Sequence, residues 1–116
     1  MATTVTVPSP SKKRSVTFGA GNRFAVIAGP CVVENEQLLR KVAEKLVDLQ
    51  AQYPVDFVFK SSYVKANRTS ASSFSGIGME AALSLLAKIR NDYDLPVLTD
   101  VHSADECRLV AMTCDV

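Results

Sequence analysis

Three short apolar runs, each followed by a stretch of helical period, constrain this chain more than any other feature. Phe24-Ala-Val-Ile-Ala28, Val55-Asp-Phe-Val-Phe59 and Pro96-Val-Leu-Thr99 read as strands. Runs this short and nearly unbroken in apolar character suit a parallel sheet covered on both faces. After the first, Leu38, Val42, Leu46 and Leu49, with Leu39 and Ala43 beside them, line one face of a helix. Asn35 or Glu34 can cap its start, and Pro54 lies beyond its end. After the second, Ala82, Leu85, Leu86 and Ile89 predict a helix from Gly78 or Met79 to Arg90. After the third, Ser103-Ala-Asp-Glu106 is a capping-box sequence, with Cys107, Val110 and Ala111 as the apolar side of the helix it opens.

Repeated βα units predict an α/β fold with parallel strands and right-handed crossovers. A doubly wound dinucleotide binder needs a Gly-x-Gly-x-x-Gly turn after its first strand, and Gly29-Pro30-Cys31 is not one. The competing architecture, a (β/α)8 barrel, takes about 250 residues. On that reading 116 residues are a fragment holding about three βα units, with Cys114-Asp115-Val116 standing where a fourth strand would start.

Upstream, Ser15-Val-Thr-Phe18 and Phe24–Ala28 flank the turn-rich Gly19-Ala-Gly-Asn22, which predicts an N-terminal β-hairpin. Residues 1–14, rich in Thr, Ser and Pro and ending Lys-Lys-Arg, read as a flexible tail, and 15–116 as the folded part. An organelle-targeting role for the tail is the weaker alternative, for want of an amphipathic pattern.

The net charge of +1 hides an asymmetry, because Lys12, Lys13, Arg14 and Arg23 all precede the first acid, Glu34. Of thirteen basic residues nine remain, against twelve acids, so the body carries −3. That argues against a general nucleic-acid binder and toward phosphate carried on a small molecule. Cys31, Cys107 and Cys114 are an odd number without paired short spacing, which fits neither a disulfide framework nor a zinc ribbon. A reducing, cytoplasmic setting is expected, with no membrane span, since no apolar run approaches the roughly 18 residues one requires.

In either architecture the functional groups belong at the C-terminal ends of the strands. Gly29-Pro30-Cys31, Lys60 to Ser70 and Thr99-Asp100-Val101-His102 all fall there. The second cluster holds Lys60, Lys65 and Arg68 with hydroxyls, an amide and no acid, a donor array suited to phosphate and sugar oxygens. A solvated basic loop is the plain alternative. Cys31 reads as a small buried residue first, then as a thiolate metal ligand or a nucleophile. Lys60 is open between a phosphate or carboxylate ligand and a Schiff-base lysine. Asp100 and His102 can orient a water or accept a sugar hydroxyl, or can cap a helix and hold a loop.

Ala28-Gly-Pro-Cys31 with Glu34, Phe59-Lys-Ser-Ser62, Lys65-Ala-Asn-Arg68 and Thr99-Asp-Val-His102, in this order and spacing, closely resemble the 3-deoxy-D-manno-octulosonate 8-phosphate synthases. The resemblance runs from about Phe24 to Val116. The related 3-deoxy-D-arabino-heptulosonate 7-phosphate synthases, the runner-up, usually carry Lys-Pro-Arg-Thr in place of Lys-Ala-Asn-Arg. The resemblance implies a (β/α)8 barrel, usually tetrameric, that condenses phosphoenolpyruvate with D-arabinose 5-phosphate and water and releases phosphate, for lipopolysaccharide synthesis. It implies no Schiff base.

Carried over by position, the resemblance makes Lys60 and Ser62 substrate-binding, with Lys60 on phosphoenolpyruvate. Lys65 and Asn67 would contact the sugar near its reacting end and count with Asp100 and His102 as catalytic. Arg68 and Thr69 would bind the sugar's 5-phosphate across a subunit interface. Cysteine at position 31 implies the metal-dependent type, with a divalent zinc, iron, manganese or cobalt ion whose other ligands, a His, a Glu and an Asp, come from later strands. The chain departs from the family at Val64, where Asp or Arg is usual, at Thr69, where Ser is commoner, and at Ser103, where Glu often follows the histidine. On this reading the chain is inactive alone; a self-contained phosphosugar-binding module is the alternative from another class.

Overall fold

The computed structural model describes residues 3–19, 23–64 and 76–116. Strands β1 (Val5–Val7) and β2 (Val16–Phe18) form an antiparallel pair, and three further strands form a separate parallel sheet. In chain order these later elements are β3 (Phe24–Ala28), α1 (Glu36–Gln52), β4 (Val55–Lys60), α2 (Met79–Tyr93), β5 (Val97–Leu98) and α3 (Ala104–Val110). The sheet order is β3-β4-β5, so the expected βα repeat is present and the chain is α/β. Val116 continues the pattern: its N–H donates to the Val97 carbonyl (3.3 Å) and its carbonyl accepts from Thr99 N–H (3.2 Å). Those two bonds are the parallel ladder pattern beside β5.

The sheet has two apolar faces, which is why its strands read as continuous runs. Phe57, Phe59 and Val97 pack in the main core with Leu39, Leu46, Leu86 and Ile89 from the helices. Val58, on the opposite face, packs with Val7 and Val16 of the hairpin, and Leu98 joins them. Burying a Phe or Val side chain contributes about 1.5–3 kcal/mol, so neither face tolerates a polar residue cheaply. Hairpin and sheet also border an apolar cleft of about 300 Å³, lined in part by Phe18, Ile27 and Leu98.

The helices start and stop for identifiable reasons. Asn35 caps α1, its side-chain oxygen accepting from Leu38 N–H at 2.8 Å. Buried Gln50, in the last turn of α1, accepts from Phe57 N–H at 2.8 Å and ties that helix to β4. Helix α2 buries Ala82, Leu83, Leu86 and Ile89 and ends at Asp94, which is left-handed (φ 54°). Arg90 grips Asp115 through two 2.9 Å bonds, and the same carboxylate accepts from Val97 N–H. That pairing, first among the causes, raises the Arg90 pKa.

Three expectations are corrected. The partner of Ser15–Phe18 is not Phe24–Ala28, which is committed to parallel pairing with β4, but Val5–Val7, in register Val5↔Phe18, Thr6↔Thr17 and Val7↔Val16. The segment read as a flexible tail therefore contains a strand. Its Ser and Pro content is turn chemistry: the Ser9 carbonyl accepts from Lys12 N–H (2.9 Å) and the Ser9 hydroxyl from Arg14 N–H (3.0 Å). Finally, the Ser103 side chain makes no cap bond, and of the predicted apolar side of α3 only Val110 is buried, Cys107 and Ala111 being exposed.

A polar latch joins the hairpin to the far end of α2. Ser11 donates from its backbone N–H (2.8 Å) and its hydroxyl (2.5 Å) to the two oxygens of Asp94. Burial opposes ionisation of Asp94, but the bonds from Ser11 and Ser9 outweigh it and its pKa lies below the ordinary 3.8. A lowered carboxylate pKa stabilises the fold fully above 3.8, and the contribution is lost as pH falls through the lower folded value. Acidification below that range should therefore collapse the dispersion of the Val7 and Val16 methyl resonances before the helices melt. Asp94→Asn should abolish that pH dependence, and Ser11→Ala should cost about 1 kcal/mol in denaturant unfolding.

Candidate functional site

The rim is built where β3, β4 and β5 end. Ala28 pairs with Phe59, and the next bridge pairs Val32 with Ser62. Three residues on the first strand's side thus face two on the second, a bulge that leaves Cys31 exposed while pairing resumes. Val33 N–H donates to the Ser62 carbonyl (2.9 Å) and Ser62 N–H to the Cys31 carbonyl (3.3 Å). The crossing is tight at its start: a Cβ on Gly29 would lie 1.8 Å from the Lys60 carbonyl oxygen. Only glycine fits there.

Cys31 is exposed, which excludes its reading as a small buried residue. Lys60 is exposed at the end of β4, next to buried Phe59 and Ser61, so its ammonium emerges from an apolar strand. Thr99 fastens the third strand end by donating its hydroxyl to the Ser61 carbonyl at 2.8 Å. Ser62 is fully buried and its hydroxyl donates to the Asp100 carboxylate. This bond joins the β4 and β5 exits across 38 positions of sequence.

His102 sits beside that pair. Its Nε2 lies 3.1 Å from the Val64 carbonyl and 3.5 Å from an Asp100 oxygen. Its ring meets Tyr63 edge to face, with centroids 5.4 Å apart and planes at 77°. Tyr63 is 1% exposed, and its hydroxyl donates to Glu106 Oε1. The same oxygen accepts from His102 N–H at 3.3 Å. Burial, and then the Glu106 carboxylate, push the Tyr63 phenol up to about 12, while the Tyr63 hydroxyl holds Glu106 below the usual carboxylate range.

The structure thus brings Cys31, Lys60, Ser62, Asp100 and His102 to the ends of adjacent parallel strands. Lys65, Asn67, Arg68 and Thr69 lie outside the described residues. Sequence reasoning missed Gly29 as a steric requirement, and Tyr63 and Glu106 as partners. The signal for Glu106 was present but shifted by one: its carboxylate returns to the backbone N–H of His102 instead of that of Ser103. Among the described residues no group of three or more His, Cys, Asp or Glu could hold a metal ion, so Cys31 is a single donor. No helix among them is long and apolar enough to cross a membrane.

Residues 4–116 match the family model described as the DAHP synthetase I family. Similar curated proteins carry the name 2-dehydro-3-deoxyphosphooctonate aldolase. The one from Methylibium petroleiphilum is 53% identical over 98 residues, 84% of this chain and 34% of the relative. That from Nitrobacter winogradskyi is 50% identical over 102 residues, 88% and 36% respectively. That from Fusobacterium nucleatum is 39% identical over 105 residues, 90% and 38%. The chain spans about a third of the length of these relatives.

The Gly29 crossing carries its own test. Gly29→Ala must push β3 from β4 at the point where the rim begins, at a cost of about 3 kcal/mol as an overpacking defect. Urea unfolding reads that loss, and the Cys31 and Lys60 resonances should move even where the fold survives.

Proposed function

Because the chain belongs to the DAHP synthetase I family, we propose that its strand-end rim forms part of a site that condenses phosphoenolpyruvate with D-arabinose 5-phosphate and water to 3-deoxy-D-manno-octulosonate 8-phosphate and phosphate. The observation that carries this reading is the convergence of Lys60, Ser62, Asp100 and His102 at neighbouring parallel strand ends. The names of the relatives support it. The Lys-Ala-Asn-Arg run favours it over the heptulosonate relative. On the same reading the three βα units belong to a (β/α)8 barrel in a tetrameric cytoplasmic enzyme serving lipopolysaccharide synthesis.

The residues divide the work by chemistry. C3 of phosphoenolpyruvate attacks the sugar aldehyde, forming the C–C bond; water adds at C2, and phosphate leaves by C–O cleavage. Lys60 suits the phosphate or carboxylate of phosphoenolpyruvate, because its cation stands exposed at the rim above a buried strand. Asp100, held by Ser62 and flanked by His102, suits a sugar hydroxyl or the attacking water. By resemblance, Lys65 and Asn67 take the reacting end of the sugar, and Arg68 and Thr69 its phosphate. A divalent metal, whether zinc, iron, manganese or cobalt, would take Cys31 as one ligand and supply Lewis acidity. Among the described residues no further set of ligands for that ion stands with Cys31, and no step here runs through it.

The test is a chimera. Replacing the 98 aligned residues of the Methylibium petroleiphilum relative with those of this chain should preserve phosphate release that needs both substrates. Lys60→Ala in the chimera should lower kcat/KM by about 30-fold, or about 2 kcal/mol, for loss of a charge-assisted bond. A folded chimera without phosphate release would overturn the proposal. The 116-residue chain alone should give no turnover.

A further inference from the structure

We infer that Tyr63 and Glu106 are positioning residues for the rim, acting together through one carboxylate oxygen to fix the orientation of the His102 imidazole and the backbone at Val64. The inference rests on the rim being the substrate site and adds to it two residues that touch no proposed substrate. Glu106 Oε1 accepts from both the Tyr63 hydroxyl and the His102 N–H. A single atom of α3 therefore pins the exit of β4 and the exit of β5. Tyr63 has no freedom to follow another course, since it is 1% exposed and packed in the main core.

The consequence reaches the imidazole. Both neighbours of Nε2, the Val64 carbonyl at 3.1 Å and the Asp100 carboxylate at 3.5 Å, are acceptors. Nε2 must therefore carry the hydrogen, and the neutral ring keeps its lone pair on Nδ1. The Tyr63 ring packs against the imidazole in a T-shaped pair, centroids 5.4 Å apart, and limits its rotation. Val64 immediately precedes Lys65. Ser62 holds Asp100 from the same strand exit, so both acidic partners of His102 are fixed by residues of β4's extension.

The experiment is nitrogen-15 NMR of the 116-residue chain without substrate, reading the His102 Nε2–H signal and its nuclear Overhauser contact with the Tyr63 ring. Both should be present in the native chain and in Glu106→Gln, whose amide oxygen can accept the same two bonds. Both should be lost in Glu106→Ala and in Tyr63→Phe, the latter removing only a hydroxyl. Persistence of both signals in Tyr63→Phe would overturn the inference, whatever the melting temperature of that variant and the stability of Glu106→Ala. A purely structural bridge would lower stability and leave the imidazole signals in place. Failure here is distinct from failure of the proposed reaction, because no substrate is present in one experiment and the chimera's turnover decides the other.

Discussion

At the end of β3 the backbone passes so close to the Lys60 carbonyl that no side chain can occupy position 29, and everything on the rim depends on that contact. It keeps β3 and β4 paired up to the bulge, and the bulge then turns Cys31 outward while returning Val32 to register with Ser62. A looser crossing would let the two exits diverge. Val33 N–H would then no longer meet the Ser62 carbonyl, nor Ser62 N–H the Cys31 carbonyl.

The second dependence is on the two-sided burial of β4. Phe57 and Phe59 face the helices, Val58 faces the hairpin, and Lys60 is the first residue of the strand to stand exposed. The cation is therefore presented by a rigid strand and not by a mobile loop, which lowers the entropic cost of holding an anion in one place. The polar contacts beyond it, from Ser62 to Asp100 and from Tyr63 to Glu106, are cross-braces between strand exits.

Much of this was legible in the sequence. Three apolar runs and three helical periods gave the alternation of strands and helices along the chain, because residues buried on one face must recur at the period of their element. The rim followed from the topology, since parallel strands put their ends on one side. The partner of β2 did not, because Val5-Thr6-Val7 is only three residues long and lies in a Thr, Ser and Pro context that resembles a tail. Tyr63 looked like a member of a basic loop. It is buried in the main core, and its hydroxyl meets the acceptor Glu106 on α3, 43 residues downstream; no local pattern encodes that meeting. The capping-box spacing did announce that Glu106 would turn back, but the residue it finds was fixed by the preceding loop.

The latch between Ser11 and Asp94 spans 83 positions. Loop-closure entropy grows only slowly with such a separation, so the cost of the latch is modest once both ends exist. Its timing is another matter. Along the chain Ser11 comes well before the Asp94 acceptor, which follows both long helices. Until then the turn at Ser11 has its local bonds, from Lys12 and Arg14 to Ser9, but not its tie to α2. The hairpin therefore gains its tie to α2 only after that helix is in place.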